Sequence, residues 1–186
     1  MDDKENYCMK VGDVWYALQT FHSKELHVRD FLASRGFPSF IPMLYKEIVT
    51  LDGKKNRELV PAVHNLLFVR KHAQPFVLSQ ILRECPIPVR ILQHAQSTKY
   101  YEIPDSQMVE FRAICDPNYR GTLYTDRDFA EARPGQMVRV VHGTFKGLTG
   151  KLVRYKNRSY VVILLATLGV FVHIPKWYCE QLSGAV

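Results

Sequence analysis

The chain has 186 residues, of which 47% are hydrophobic, 12% aromatic and 23% charged. This composition is typical of a folded globular protein and excludes a disordered or fibrous one. Lys and Arg (25) outnumber Asp and Glu (18), and the excess is local: residues 1–131 contain 17 basic and 17 acidic side chains, whereas residues 132–186 contain 8 basic and one acidic. We therefore expect a neutral first region and a basic second region that suits a polyanion or an acidic protein surface.

No segment is typical of a membrane span or a secretory signal. The longest apolar run, residues 161–172, is interrupted by Thr167 and Gly169, and it is shorter than the roughly 20 residues that a spanning helix needs. The first ten residues, MDDKENYCMK, contain no apolar stretch, which a signal peptide would require. The sequence predicts a cytoplasmic monomer that binds no membrane.

The usual signatures of catalysis and metal binding are missing. The sequence contains no phosphate-binding loop, G-x-S-x-G elbow or H-E-x-x-H helix. Asp126 and Asp128 form a D-x-D pair with no third ligand nearby, which favours a solvated loop. Four cysteines are isolated from one another and predict reduced thiols: Cys8, Cys85, Cys115 and Cys179. We expect no enzyme activity, metal or cofactor; the alternative, an enzyme that uses the N-terminal sheet, would be favoured by a metal or cofactor bound to the purified protein.

The first elements alternate between strand and helix. Residues 14–19 (VWYALQ) predict a strand because they are rich in β-branched and aromatic residues. A helix follows, with Ser23 as its N-cap and Gly36 as its stop. Residues 37–49 contain two prolines and favour extended chain, and residues 52–57 (DGKKNR) predict a basic turn.

Two further helices complete the N-terminal region. A strand is expected from about residue 65 to residue 70, beyond Pro61, where pairing cannot yet be regular. Residues 76–84 predict a helix after a proline in its first turn, residues 89–92 a short strand, and residues 104–114 an amphipathic helix. The predicted order is β-α-β-β-α-β-α, an α+β fold on a mainly antiparallel sheet over residues 1–116.

The remainder of the chain predicts a small β-barrel. Residues 117–133 lack periodicity and are interpreted as a linker. From residue 134 onward, short strands alternate with glycine turns, which is typical of a five-stranded barrel over residues 134–186. Residues 159–174 contain seven β-branched residues in 16, and this favours a strand hairpin over a helix.

The glycine pattern of residues 135–154 (GQMVRVVHGTFKGLTGKLVR) resembles the KOW motif of transcription and translation factors. The resemblance implies an SH3-like five-stranded barrel. The turn and basic face that it would display comprise Gly143, Phe145, Lys146, Gly147, Gly150, Lys151 and Arg154. Lys156, Arg158 and Lys176 extend this basic surface, which either is simply solvated or contacts RNA phosphates or an acidic protein.

With a KOW motif at the end of the chain, the first region resembles the NusG N-terminal domain. The resemblance rests on residues 15–18 (WYAL), 24–25 (KE), Gly36, 40–42 (FIP) and 61–69. Residues 103–111 (IPDSQMVEF) resemble the UpxY-type NusG paralogues associated with capsular polysaccharide operons. The family usually has a P-G-Y-[VIL]-F-V stretch, where this chain has HNLLFV at residues 64–69.

This resemblance implies a transcription elongation and antitermination factor that suppresses pausing and termination, with an operon-specific rather than a general role. Its N-terminal domain would bind the clamp helices of RNA polymerase, close to non-template DNA and nascent RNA. The implied polymerase contacts are Trp15, Tyr16, Phe40, Pro42, Val63, His64, Asn65 and Leu66. The basic turn, with Lys54, Lys55 and Arg57, is a candidate nucleic-acid contact.

Two alternatives to this operon-specific function are consistent with the sequence. One is a ribosome-binding or RNA-binding KOW protein, and the other is a housekeeping NusG elongation factor. Sedimentation with ribosomes without affinity for polymerase would favour the first. The partner of the barrel, a ribosomal protein or another factor, is not indicated by the sequence.

Overall fold

The computed structural model describes residues 14–50, 52–71, 75–94 and 97–182. Within these residues, strands form antiparallel sheets and short helices pack on them, which confirms the α+β class. The elements are β1 (Val14–Thr20), α1 (Glu25–Ala33), β2 (Ser39–Phe40), β3 (Met43–Val49), β4 (Lys55–Pro61), β5 (Leu66–Arg70), α2 (Pro75–Arg83), β6 (Val89–Ile91), β7 (Glu102–Pro104), α3 (Asp105–Ile114), β8 (Thr122–Asp126), α4 (Arg127–Glu131), β9 (Gln136–Val140), β10 (Thr149–Tyr155), β11 (Arg158–Leu165), β12 (Leu168–His173) and β13 (Cys179–Gln181).

The N-terminal sheet is built around β1. Its strand order is β2-β5-β1-β6, and β7 also pairs with β1. Side chains of a strand alternate between the two faces, so Tyr16 and Leu18 pack in a cluster with α1 and α2, whereas Trp15 and Ala17 pack with α3 on the other face. Because both faces are covered, β1 is apolar almost throughout.

Helix α1 begins differently from the prediction. Its N-cap is Lys24, which forms no side-chain cap, and not Ser23. Ser23 has a positive φ of 52°, and its backbone N–H donates to Asn65 Oδ1 at 2.8 Å, so this residue serves a tertiary contact. Gly36, with φ of 76°, follows the helix as expected.

Strands β3 and β4 form a separate two-stranded hairpin. Residues 52–54 of the predicted basic turn connect the strands, whereas residues 55–57 belong to β4. Most of its side chains are exposed. Strand β4 continues through Pro61, which is paired in register with Met43, although pairing was not expected there. Proline is tolerated because it ends a strand that has only one partner.

The interpretation of residues 117–133 as a linker is wrong in detail, because β8 and α4 lie within it. Strand β8 pairs with β12, and α4 packs so closely that a Cβ on Gly169 would lie 2.3 Å from the Cβ of Ala130. Asp126 and Asp128 therefore lie in β8 and α4 rather than in a solvated loop. Both elements have only five residues, too few to show a periodicity.

The second sheet has the order β13-β9-β10-β11-β12-β8. Four of its strands, β9 to β12, lie in the segment from residue 134 onward where the sequence predicts short strands, and β13 returns to pair with β9. This sheet is consistent with an SH3-like domain, to which β8 adds a strand at one edge.

One hydrophobic cluster joins the two sheets. It contains Trp15 and Phe68 of the N-terminal sheet, Phe111 of α3, and Val161 and Val170 of the second sheet. Gln107 Nε2 also donates to the Leu164 carbonyl at 3.0 Å. The division into residues 1–116, 117–133 and 134–186 stays a prediction, but the regions on either side of residues 117–133 share buried surface.

Three of the four cysteines lie in the described ranges, and none of the three forms a disulfide: Cys85, Cys115 and Cys179. Cys8 lies outside the described residues. None of the helices in the described ranges is long and apolar enough to cross a membrane.

Candidate functional site

A cleft of about 570 Å³ lies between the two sheets. Residues 62–66, which lead into β5, form one wall, and β8 with residues 167–168 forms the opposite wall. The first wall contains four of the eight residues predicted to contact polymerase. The cleft therefore brings together half of the predicted polymerase contacts.

Backbone hydrogen bonds fix the turn at Asn65. This residue has a φ of 61°, in the left-handed region that asparagine tolerates better than most residues. Its carbonyl accepts from Thr20 N at 3.0 Å, while its side-chain Oδ1 accepts from Ser23 N. Two hydrogen bonds from the 20–23 segment, which is distant in sequence, thus hold the turn.

A buried carboxylate supports the same turn from beneath. Glu25 is only 1% exposed, and its Oε2 accepts from Asn65 N at 3.3 Å. Its Oε1 lies 3.5 Å from Nδ1 of His64, whose side chain is largely exposed. Hydrogen bonds thereby hold the backbone of this wall, which exposes the polar side chain of His64.

The eight predicted polymerase contacts do not share one surface. Trp15 and Tyr16 lie on opposite faces of the N-terminal sheet, and Trp15 Nε1 donates to Asp105 Oδ1 at 2.7 Å. Phe40 packs edge-to-face on Phe111 with ring centroids 5.9 Å apart. Four of the eight are buried, namely Trp15, Tyr16, Pro42 and Leu66. Val63, His64 and Asn65 remain as partly or fully exposed residues of the cleft wall.

The candidate nucleic-acid contacts lie on the β3–β4 hairpin. Lys55 and Arg57 are two residues apart on β4 and therefore share a face. The Arg57 guanidinium lies 4.7 Å from the ring centroid of Tyr45, and this contact holds the charged group beside the ring. Lys54 instead lies in the turn, 3.3 Å from Asp52 Oδ2.

Hydrogen bonds order the hairpin turn. The Thr50 hydroxyl donates to Asp52 Oδ1, and this bond, with a further one from Lys54, lowers the pKa of Asp52 below its ordinary value. Asp52 partly offsets the charge of Lys54, and Glu47 lies directly opposite Arg57 in the register of the hairpin.

The glycines of the KOW-like segment have distinct roles. Gly143 and Gly147 have φ of 81° and 97°, values that favour glycine in the turn between β9 and β10. A Cβ on Gly150 would lie 2.6 Å from the Val162 carbonyl oxygen, so this residue allows close approach of β11. Phe145 packs edge-to-face on Tyr119, with ring centroids 4.9 Å apart.

The basic residues of that segment do not form one face. Lys151 and Arg154 are three residues apart on β10 and point to opposite sides of the sheet. Lys151 Nζ donates to the Glu131 carbonyl at 2.7 Å, whereas Lys146 lies in the exposed turn. The positive charge is therefore distributed around the barrel.

Sequence reasoning missed the second wall of the cleft. Tyr124 and Asp126 belong to it and lie in the segment interpreted as a linker. Beside the cleft, burial raises the pKa of the Cys115 thiol to about 12 and raises the pKa of Tyr124 above its ordinary value. The alternation in TLYTD was the available signal, although five residues are too few to distinguish a strand from a loop.

Comparison with known proteins identifies the family. A model described as "Transcription termination factor nusG" matches residues 13–112, more than half of the chain. The chain belongs to the NusG family. Membership in this family indicates a transcription elongation or antitermination factor, and NusG-family proteins are transcription factors rather than enzymes. Within the described residues of this NusG-family chain, no group of three or more His, Cys, Asp or Glu is placed to hold a metal.

None of the curated proteins compared matches this NusG-family chain. Among solved structures, one titled "Domain interaction in Thermotoga maritima NusG" is similar over 92% of this chain and 98% of that chain. The identity is 15% and the TM-score is 0.47.

Proposed function

We propose that this NusG-family protein binds RNA polymerase through the rim of the cleft and suppresses pausing and termination without any reaction chemistry. The observation that carries the proposal is the rigid turn of residues 63–65, which lies within the segment that matches the family and keeps surface exposed. Two hydrogen bonds to the 20–23 segment preform it, so binding would cost little ordering entropy.

The proposed polymerase contact contains fewer residues than the eight that the sequence predicts. Val63, His64 and Asn65 would touch the clamp helices, and Phe40 would support them from β2. The buried side chains Trp15, Tyr16, Pro42 and Leu66 would act by holding the strands that carry this turn. Because β8 faces the turn across the cleft, the polymerase element would contact the rim or displace β8.

Preferential binding to one state of polymerase supplies the mechanism. A factor that binds the elongating state more tightly than the paused state shifts the population toward elongation by the ratio of the two affinities. The β3–β4 hairpin would add a nucleic-acid contact through Lys55 and Arg57. An interface of ordinary size, about 800 Å² per partner, suffices for useful affinity.

We further propose an operon-specific role of the UpxY type. The support is the HNLLFV stretch in place of the family's Pro-Gly-Tyr pattern, and the IPDSQMVEF stretch at residues 103–111. In the latter, Asp105 begins α3 and accepts the hydrogen bond from Trp15 Nε1. This stretch therefore ties α3 to the central strand of the N-terminal sheet.

An elongation assay on a long leader template tests the proposal. We expect purified protein to shorten pauses and to raise read-through at terminators on a capsule-operon leader, with less effect on an unrelated leader. Unchanged pausing and read-through on both templates would refute antitermination. Equal effects on both would refute the operon-specific role and favour a housekeeping elongation factor.

A further inference from the structure

The barrel exposes a tryptophan that no internal contact explains. Trp177 is 78% exposed, whereas Trp15 is 4% exposed. Tryptophan is usually well buried because of its large apolar area. Among the described residues, Trp177 forms no ring or cation–π contact. Most of its side chain is therefore accessible to a partner.

The backbone around Trp177 is firmly held. It lies in a short 3-10 turn, Lys176–Tyr178, between β12 and β13. On one side, Ile174 N donates to the Ser159 carbonyl, and on the other, Val141 N donates to the Tyr178 carbonyl at 2.7 Å. The Tyr178 ring packs against the turn at Gly143. The exposed indole thus projects from a fixed support.

These contacts bring basic residues to the same end of the barrel. Lys176 precedes Trp177, Arg158 precedes Ser159 at the start of β11, and Lys146 belongs to the turn that contacts Tyr178. All three are exposed. None of the eight basic residues of segment 132–186 forms an ion pair with a carboxylate of the described residues. This end of the barrel therefore combines an aromatic platform with uncompensated positive charge.

We propose that Trp177 is a base-stacking site for single-stranded nucleic acid, whose phosphates are contacted by Lys146, Arg158 and Lys176. Stacking on an aromatic ring with flanking cations is how proteins bind single strands without reading their sequence. A protein partner is less well supported, because the surrounding charge complements a polyanion and segment 132–186 contains one acidic residue, Glu180. The proposal goes beyond polymerase binding, since it assigns a ligand to the other region of the molecule.

Tryptophan fluorescence tests the site directly in the full chain. The chain contains two tryptophans, and acrylamide quenching reports mainly the exposed one. Saturation with a single-stranded RNA of about 12 nucleotides, within the usual site size, should lower quenching at least about twofold if a base covers the indole. A duplex of the same sequence should protect far less, because its bases are already stacked.

Variants separate stacking from charge. Trp177→Ala should weaken RNA binding by about tenfold or more, and Trp177→Phe should restore part of the loss. Phe76→Ala, which removes another exposed aromatic side chain (68% exposed), is the matched control and should bind as wild type.

Lys176→Gln should lower the slope of log affinity against log salt by about 0.7, whereas Lys24→Gln should not change it.

Three results would overturn the proposal. The first is that the wild-type protein does not bind the RNA, the second is that duplex and single strand protect the indole from quenching equally, and the third is that Trp177→Ala binds the RNA within twofold of the wild-type affinity. Equal losses in Trp177→Ala and Phe76→Ala would also overturn it, because the effect would then not belong to this site. Polymerase binding does not enter these measurements, so their failure is distinguishable from failure of the proposed function.

Discussion

The two regions of this protein differ in net charge, but they share a buried hydrophobic cluster. Residues 1–131 are neutral, whereas residues 132–186 carry the whole net charge of +7. The buried cluster that includes Phe111 nevertheless extends from one region into the other. The net charge of the chain therefore changes where the buried packing is continuous. We expect polymerase to bind the neutral region, where the β3–β4 hairpin adds a local nucleic-acid contact, and single-stranded nucleic acid to bind the basic region.

The largest expected effect comes from the shared core. Phe111 is fully buried, and its ring lies 5.3 Å from Phe68 and 5.9 Å from Phe40. Phe111→Ala should lower the free energy of unfolding by about 3–5 kcal/mol. Chemical denaturation followed by fluorescence and by circular dichroism should show one transition, because both regions lose packing together. Two separate transitions, with the barrel unaffected, would show that the regions are independent.

A somewhat smaller effect is expected where α4 packs on the barrel. Gly169→Ala places a methyl group against Ala130 and should cost about 1–3 kcal/mol, since α4 must move. Thermal unfolding measures the loss, and Thr167→Ala, at an exposed position nearby, is the control. A wild-type melting temperature for Gly169→Ala would mean that α4 is not held on β12, and that residues 117–133 behave as the linker that the sequence predicted.

The basic hairpin should affect function without affecting stability. The double variant Lys55→Glu, Arg57→Glu should weaken action on the complete elongation complex by about tenfold, since two phosphate contacts become repulsive. Binding to isolated clamp helices should not change. Lys24→Glu, at the exposed position before α1 and outside the hairpin, serves as the charge control. Equal loss of clamp-helix binding would place the hairpin in the polymerase contact instead.

The smallest effect concerns the acid stability of the N-terminal sheet. The Tyr16 hydroxyl donates to Glu102 Oε1 at 2.9 Å, and this bond, aided by Lys71 and opposed by burial, holds the pKa of Glu102 below its ordinary value of 4.5. A lowered folded-state pKa stabilises the protein above pH 4.5, and this contribution is lost as pH falls through the folded-state pKa.

Glu102→Gln should therefore be less stable at neutral pH by at most about 1 kcal/mol, because the pair is partly exposed. Its stability should also fall less steeply below pH 4.5 than that of the wild type. Urea titrations across this range measure both. Glu110→Gln, whose carboxylate has no hydrogen bond or ion pair with a described residue, should follow the wild-type profile.

Much of the fold could be predicted, because short-range sequence patterns determine several of its strands and helices. Strands β9 to β12 follow from alternation and β-branched residues, and α3 from its apolar spacing. Helix α4 could not be predicted, since it depends on contact with Gly169, 39 residues beyond Ala130 in sequence. For the site, the placement of Val63 to Asn65 on an exposed turn depends on Glu25 and Ser23, which are distant in sequence. The separation of Trp15 from Tyr16 was predictable, because adjacent residues of a strand face opposite ways.

Polymerase binding by a single cleft variant tests whether the turn of residues 63–65 contacts polymerase. Val63→Glu adds a charge at a half-buried position of the turn, and Val109→Glu adds the same charge at an exposed apolar position on α3. Circular dichroism should first show that both variants are folded. Val63→Glu should then bind purified RNA polymerase at least about tenfold more weakly than wild type, and Val109→Glu should bind as wild type does. Equal and undiminished binding by wild type, Val63→Glu and Val109→Glu would contradict the assignment of the polymerase contact to this turn.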